Sequence, residues 1–117
     1  MEKQLTIREL IKQIRDEIFK SEDLLPDRAA ELLAKLSALY GNCIDEVRKR
    51  EMEYNKDRRM AYESEGKSNR AEILSKSSPS YEAWREAQDT AKLCLELVRG
   101  LKYFLKSKSE ELRESKY

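Results

Sequence analysis

Residues 81–115, YEAWREAQDTAKLCLELVRGLKYFLKSKSEELRES, decide the fold of this chain. Apolar residues recur here at alternating spacings of three and four, which is the period of one face of an α-helix. We therefore predict one long helix, helix C, over residues 81–115. Its main stripe comprises Trp84, Ala87, Ala91, Cys94, Val98, Leu101, Leu105, Lys108 and Leu112, and a second apolar flank comprises Leu93, Leu97 and Phe104. A stripe this wide requires more than one neighbouring helix.

A second long helix, helix B, is predicted over residues 27–64. Its stripe contains Ala29, Leu33, Leu36, Tyr40, Cys43 and Val47, then becomes polar at Arg50, Tyr54, Asp57 and Ala61. Gly41 interrupts it with a residue that costs a helix interior about 1 kcal/mol relative to alanine. The pattern leaves open whether helix B continues through Gly41, is kinked there, or crosses another helix closely. Gly66 is expected to end the helix as a left-handed cap.

Shorter elements surround these two helices. Helix A is predicted over residues 7–19, with Thr6 as its N-cap and Glu9 three residues on. Residues 20–26 form a connector, in which Leu24 and Leu25 are expected to fold back onto the core. A short helix is predicted over residues 68–76 and helix C follows it, with serine caps expected at positions 68 and 80.

These elements predict an all-α fold with a short N-terminal helix plus a long antiparallel helical hairpin, bundle or coiled-coil-like, in a single domain over residues 1–117. Helices B and C supply the hairpin, and helix A covers one of its sides. The remaining apolar flank of helix C favours a homo-oligomer of parallel or antiparallel helices. A three-helix bundle without self-association is the alternative.

Composition excludes several classes of function. The chain carries 24 Lys+Arg against 23 Asp+Glu, a balance that argues against an acidic DNA mimic and against a strongly basic nucleic-acid binder. It has no histidine and two cysteines, too few for an ordinary zinc site and insufficient for a Ser-His or Cys-His catalytic pair. No apolar run reaches about 18 residues, and the N-terminus, MEKQLTIREL, is charged throughout. We therefore expect a soluble cytoplasmic protein that has no cofactor and is not an enzyme.

Two sequence patterns resemble catalytic sites but lack features that those sites require. Residues 61–68, AYESEGKS, end like a phosphate-binding loop but begin with alanine and include two carboxylates, so a helix end is favoured. Glu82, Glu86 and Asp89 share a helix face as magnesium ligands would, but no second pair of carboxylates has the matching spacing. Arg85 lies one helical turn before Asp89, so ion pairing explains that carboxylate more simply.

Both cysteines occupy stripe positions of the long helices. Cys43 lies in helix B and Cys94 in helix C. We expect buried, reduced thiols that act as small apolar residues.

The connector end of the predicted hairpin carries the residue types that dominate binding sites. Tyrosine and tryptophan bury large areas at low entropic cost, and arginine grips carboxylate or phosphate with two donors. This candidate surface suits a protein partner or a nucleotide signal; alternatively, the tyrosines cap the hairpin core and the charges are solvated. Its members are Tyr54, Asn55, Arg58, Arg59, Tyr62, Lys67, Asn69, Arg70, Tyr81, Trp84 and Arg85.

A basic stripe follows helix C at seven-residue spacing. It consists of Arg85, Lys92, Arg99, Lys106 and Arg113. Alone, such a stripe could follow a phosphate backbone. Because Asp89, Glu96 and Glu110 each lie four residues after one of these cations, we expect a solvated face of ion pairs instead.

The stretch from YN at 54–55 through SNRAE at 68–72 to LVRGLKYFL at 97–105 resembles small helical proteins encoded in bacteriophage early regions. The resemblance covers roughly the C-terminal half and includes no catalytic signature. It implies a non-enzymatic accessory: either a partner of the phage replication or recombination machinery, or an inhibitor of a host defence system such as a CRISPR effector. Such an inhibitor would occupy a protein surface or nucleic-acid channel, or sequester a nucleotide signal.

The leading hypothesis is a non-enzymatic binding protein that acts by stoichiometric contact with a host or phage protein complex or a nucleotide signal. The first alternative is a nucleic-acid-binding accessory of phage replication or recombination that uses the basic stripe. A magnesium-dependent nucleotide hydrolase and a purely structural coiled-coil segment are the remaining alternatives.

Overall fold

The computed structural model describes residues 4–115, and within that range the chain is 89% helical and has no strand. Four helices follow one another: α1 (Ile7–Lys20), α2 (Pro26–Glu65), α3 (Ser68–Lys76) and α4 (Pro79–Ser115). Their ends differ from the predicted ones by at most two residues. No helix in the described range combines the length and the apolar character needed to cross a membrane.

Two helix ends are formed as predicted. The Oγ1 of Thr6 accepts a hydrogen bond from the backbone N–H of Glu9 at 3.2 Å, which caps α1. Gly66 follows α2 with φ of +67°, a left-handed conformation that strains other residues. Its N–H donates to the carbonyl of Tyr62 at 3.3 Å, so one of the last carbonyls of the helix is satisfied.

The starts of α3 and α4 differ from the predicted ones. Lys67 is the N-cap residue of α3 and makes no side-chain cap, so Ser68, the predicted cap, is instead the first helical residue. In α4 the cap is Ser78, whose Oγ accepts from the backbone N–H three residues on at 3.3 Å. Pro79 then occupies the first helical position, where its missing N–H is not needed. The prediction of Ser80 as the cap was therefore wrong by two residues.

Helix α2 continues through Gly41 without interruption. Its 40 residues span about 60 Å at a rise of 1.5 Å per residue. Gly41 is exposed, and a Cβ built on it would meet no atom within 4 Å. The alternative of a close helix crossing at this glycine was therefore wrong for the described part of the chain.

The contacts within the chain form two compact units, and both long helices pass through both of them. The α1 unit contains the described residues 4–42 and 92–115. The α3 unit is Cys43–Ala91. Each unit therefore has its own core.

The core of the α1 unit is made by α1, the first part of α2 and the last part of α4. Its most deeply buried side chains are Ile11, Ala29, Leu32, Leu36, Cys94 and Leu101. Leu33, predicted for this core, is only half-buried, whereas Leu32 is completely buried. The reason is that α1 lies along this flank of α2, where Leu10 and Ile14 line the same shallow groove as Leu32.

An ion pair joins α1 to α2. Arg28 donates from Nε and Nη2 to the two carboxylate oxygens of Glu17, both at 2.6 Å, and from Nη1 to Glu31 at 2.9 Å. The hydrogen bonds from Arg28 hold the pKa of Glu17 below its ordinary value of 4.5. The same bonds raise the pKa of the Arg28 guanidinium.

The connector between α1 and α2 follows the prediction only in part. Leu24 is half-buried, but Leu25 is 68% exposed, so its predicted packing on the core was wrong. Its carbonyl accepts from the N–H of Ala29 at 2.9 Å. This bond holds the backbone of Leu25 at the helix start, and the side chain faces solvent.

Small residues dominate the core of the α3 unit. Its buried side chains are Cys43, Tyr54, Ala71, Ser75, Ala87, Thr90 and Ala91. The two hydroxyl groups are satisfied within their own helices: Ser75 donates to the carbonyl of Glu72 at 3.0 Å, and Thr90 to that of Glu86 at 2.9 Å. Small side chains let the helices approach closely, and Tyr54 is the one large side chain among these buried residues.

Both cysteines are buried thiols that form no disulfide within residues 4–115, as predicted. Cys94 in the α1 unit donates from Sγ to the carbonyl of Leu36 at 3.3 Å. This carbonyl belongs to α2, so the thiol links α4 to α2.

Candidate functional site

Helix α3 buries its small residues and exposes its large ones. Ala71 is completely buried and Ser75 is 2% exposed, whereas Ile73 is 67% and Leu74 is 46% exposed. In an ordinary amphipathic helix the aliphatic residues face the core. The arrangement in α3 instead leaves Ile73 mostly exposed and Leu74 about half exposed to solvent.

The spacing of the small residues explains this orientation. Ala71 and Ser75 are four residues apart, so they lie on one face of the helix. That face lets α3 lie close to the rest of its unit, and the opposite face turns outward. We name this outward face the α3 surface; its exposed members are Asn69, Arg70, Ile73, Leu74 and Lys76.

A polar network fixes α3 against α2. Arg58 donates from Nε to Oε1 of Glu72 at 2.7 Å, and the hydroxyl of Tyr62 donates to the same oxygen. The guanidinium carbon of Arg58 also lies 5.5 Å from the centre of the Tyr62 ring, within the range of a cation–π contact. One carboxylate of α3 is therefore held by two side chains of α2.

The network shifts the pKa values of all three side chains. Hydrogen bonds from Tyr62 and Arg58 hold the pKa of Glu72 below its ordinary value. The bond to Glu72 raises the pKa of the Tyr62 phenol above 10.0, because ionisation would place two negative charges side by side. The pKa of Arg58 is raised mainly by its bond to Glu72. At neutral pH, therefore, Glu72 and Arg58 are charged and Tyr62 is neutral, so the network keeps its hydrogen bonds.

Three aromatic rings pack together inside the α3 unit. Tyr54 is 5% exposed and stacks on Trp84, with ring centres 5.2 Å apart. Tyr81 lies 5.1 Å from Tyr54 and 6.1 Å from Trp84, in tilted and edge-on arrangements. The Nε1 of Trp84 is buried, and no hydrogen-bond partner lies near it in the described part of the chain.

The eleven residues of the predicted surface divide into two groups. Eight are exposed: Asn55, Arg58, Arg59, Tyr62, Lys67, Asn69, Arg70 and Arg85. Tyr54, Tyr81 and Trp84 form the aromatic cluster instead, and the burial of Tyr54 removes that ring from the accessible surface. Among the exposed residues, Arg58 and Tyr62 belong to the Glu72 network, and Arg70 pairs with Glu65 at 3.3 Å.

Sequence reasoning missed Ile73 and Leu74. In SNRAEILSK the only signal was the pair of small residues at positions 71 and 75, which predicts a closely packed face and leaves the aliphatic residues outside. Two methionines of α2 in the same unit, Met52 and Met60, are also exposed by 73% and 57%.

The basic stripe of α4 differs in one respect from its prediction. Arg85, Lys92, Arg99, Lys106 and Arg113 are all exposed. Within residues 4–115, however, no ion pair joins any of them to a carboxylate four residues on, so the predicted ion-paired face was wrong for the conformation described. Long exposed side chains lose rotamer freedom in forming such pairs, and the gain in water is small.

Residues 61–68, which end like a phosphate-binding loop, are a helix end: residues 61–65 form the last turn of α2, and Gly66 caps it. Within residues 4–115, no three acidic or cysteine side chains lie close enough together to hold a metal ion. Comparison with protein-family models, with curated proteins and with solved structures finds no match.

Proposed function

We propose that this chain is a non-enzymatic binding protein that acts by stoichiometric contact with a protein partner, and that the contact is made by the α3 surface. The observation that carries the proposal is the outward placement of Ile73 and Leu74 on a helix whose inward face is small. Burial of an exposed aliphatic side chain contributes about 1.5–3 kcal/mol. In this proposal both side chains contribute to the apolar centre of a small interface.

The charges around the aliphatic pair indicate the chemistry of the partner. The outward face carries Arg70 and Lys76 and no carboxylate. The nearby Glu65 pairs with Arg70 and Glu72 pairs with Arg58, so the unbalanced charge of this face is that of Lys76. The partner in this proposal is therefore an acidic protein surface with an apolar centre, since unlike charges around a contact speed and orient association.

The Glu72 network supports the proposal through rigidity. With Arg58 and Tyr62 both bound to its carboxylate, α3 is held in one orientation before a partner arrives. A preorganised surface loses less conformational entropy on binding.

We further propose the role implied by the resemblance, a phage-encoded accessory or an inhibitor of a host defence system. The proposal includes an antiparallel hairpin of α2 and α4. In the α3 unit these helices meet at Tyr54 and Trp84, and the chain passes between them through the nine-residue α3; this short return supports it.

The proposal is tested by immobilising the full chain in a lysate of cells that naturally contain it and quantifying the retained proteins by mass spectrometry. The test variant is Ile73→Lys with Leu74→Gln, which replaces exposed side chains and leaves the core intact. The matched control is Met52→Lys, an equally exposed apolar residue of the same unit. We expect an acidic protein retained in a fixed molar ratio by wild type and control, and a loss of at least tenfold with the double variant.

Two results would contradict the proposal. Retention unchanged by the double variant would place the contact elsewhere on the molecule. Absence of any protein retained in a fixed ratio would remove the protein partner altogether. Helicity measured on each variant separates a lost contact from a lost fold.

A second candidate function is nucleic-acid binding by the basic stripe, favoured by the exposure of all five of its cations. It predicts affinity for a duplex oligonucleotide that falls steeply with salt. Arg99→Glu with Lys106→Glu would then weaken binding severalfold at low salt. Affinity that is the same at low and high salt would exclude this candidate.

A further inference from the structure

An apolar groove runs between α1 and α4 in the α1 unit. Its volume is about 480 Å³. Ile18 and Phe19 contribute one wall, and Leu97 and Phe104 contribute the other. Phe19 is 75% exposed, so the groove is open to solvent on that side.

Gly100 lies in this groove, in the middle of α4. Glycine weakens a helix interior relative to any other residue except proline. No part of the described chain accounts for its presence, because a Cβ at position 100 would meet no atom within 4 Å. A glycine at this place lets another helix approach α4 more closely than a side chain would allow.

The charges of α4 favour a second α4 as the approaching helix. Residues 79–97 contain four carboxylates and two cations, whereas residues 98–115 contain five cations and three carboxylates. Two copies aligned in parallel would place like charges together. In the antiparallel alignment the acidic half of each helix lies beside the basic half of the other, and the two helix dipoles oppose each other favourably.

We propose that two copies of this chain pair through this groove, with their α4 helices antiparallel and the two-fold axis close to Gly100. Such an interface is the same on both copies, so each groove receives the helix of the other. Residues 96 and 103 then lie at nearly equal distances on either side of the axis. The hydroxyl of Tyr103, a residue that is 75% exposed, reaches Glu96 of the other copy and donates to its carboxylate.

The first test is the mass of the native protein in solution, measured by light scattering over a series of concentrations. We expect twice 13.8 kDa for wild type. Gly100→Leu fills the crossing point, and we expect it to raise the dissociation constant at least tenfold and to retain full helicity. Gly41→Leu is the matched control, because it too places leucine at an exposed helical glycine with open space around it, and it should remain dimeric.

The second test distinguishes the two alignments. Glu96→Cys and Tyr103→Cys proteins are mixed and oxidised. Antiparallel pairing predicts a disulfide between the two variants and little linkage of Tyr103→Cys to itself, whereas parallel pairing predicts the opposite. The native cysteines are buried and are protected from this reaction.

The proposal is overturned if wild type is monomeric at every concentration, if Gly100→Leu leaves the dimer intact, or if Tyr103→Cys links chiefly to itself. It is independent of the α3 surface, which lies in the other unit. Loss of partner capture by the Ile73→Lys, Leu74→Gln variant would leave the dimer unchanged.

Discussion

The ring of Tyr54 contributes to stability chiefly through the two aromatic rings on which it packs. Stacked on Trp84 and tilted against Tyr81, it is the largest side chain buried in the α3 unit. The other core residues of that unit are small, so they cannot fill the space that a shorter side chain would leave. A binding role for this residue would require the unit to open.

We therefore expect Tyr54→Ala to lower the free energy of unfolding by about 3 kcal/mol, the usual cost of truncating a buried aromatic side chain. Tyr54→Phe keeps the ring and should change stability by less than about 1 kcal/mol. Urea unfolding of both variants measures the difference. Equal stability of wild type and the alanine variant would mean that the ring is not part of the core.

The Glu17–Arg28 pair predicts how stability depends on pH. Because the pKa of Glu17 is lowered in the folded chain, its contribution is present above its ordinary value of 4.5 and is lost as pH falls through the folded pKa. Glu17→Gln should therefore melt a few degrees below wild type at neutral pH and show a smaller difference at pH 3. Thermal melts at the two pH values test this. A difference that persists undiminished in acid would assign the effect to packing instead of charge.

At the level of helices, Gly41 inside α2 and Gly66 at the end of α2 have opposite effects on stability. Gly41 lies inside the helix with nothing beside it, whereas Gly66 ends the helix with a positive φ. The same substitution should therefore have opposite effects at the two sites.

We expect Gly41→Ala to raise the free energy of unfolding by up to about 1 kcal/mol, through helix propensity alone. Gly66→Ala should lower it by about 1 kcal/mol, because the left-handed conformation costs alanine roughly that amount. Chemical denaturation of the two single variants, under conditions in which wild type is unfolded reversibly, gives both values. The same sign at both sites would contradict the described end of α2.

The helical period of the apolar residues made the four helices and their approximate ends predictable. It did not predict which face of each helix is buried. Leu33 was favoured over Leu32 because the stripe of α2 alone could not show that α1 covers its flank. Ile73 and Leu74 were missed for the same reason: their orientation depends on how closely Ala71 and Ser75 pack in the folded unit. The Thr6 cap was predicted correctly because its partner lies within one turn. The caps predicted at Ser68 and Ser80 were wrong, because α3 and α4 begin one and two residues earlier than a cap at those positions requires.

On the scale of the whole molecule, the continuous helices connect the two units. α2 crosses from one unit to the other between residues 42 and 43, and α4 between 91 and 92. Unfolding one unit would therefore break helices that also form the core of the other. This connectivity favours a single cooperative unfolding transition of the whole chain.

The chain carries its own probe for this expectation, since Trp84 is its only tryptophan and lies in the α3 unit. Unfolding followed by tryptophan fluorescence should coincide with unfolding followed by circular dichroism, which reports all the helices. A fluorescence midpoint clearly below the dichroism midpoint would show that the α3 unit opens first. The two curves can be recorded on one sample.

Helical continuity also protects the chain from digestion. Trypsin cuts after lysine or arginine in extended chain, and these residues make up 24 of the 117 in this sequence. Among those in residues 4–115, Lys67 alone lies outside a helix, in the two-residue break between α2 and α3. We expect brief proteolysis of the native protein to cut first after Lys67, as mass spectrometry of the fragments would show. Residues 4–115 would then resist a trypsin-like protease for as long as the break at Lys67 is shielded.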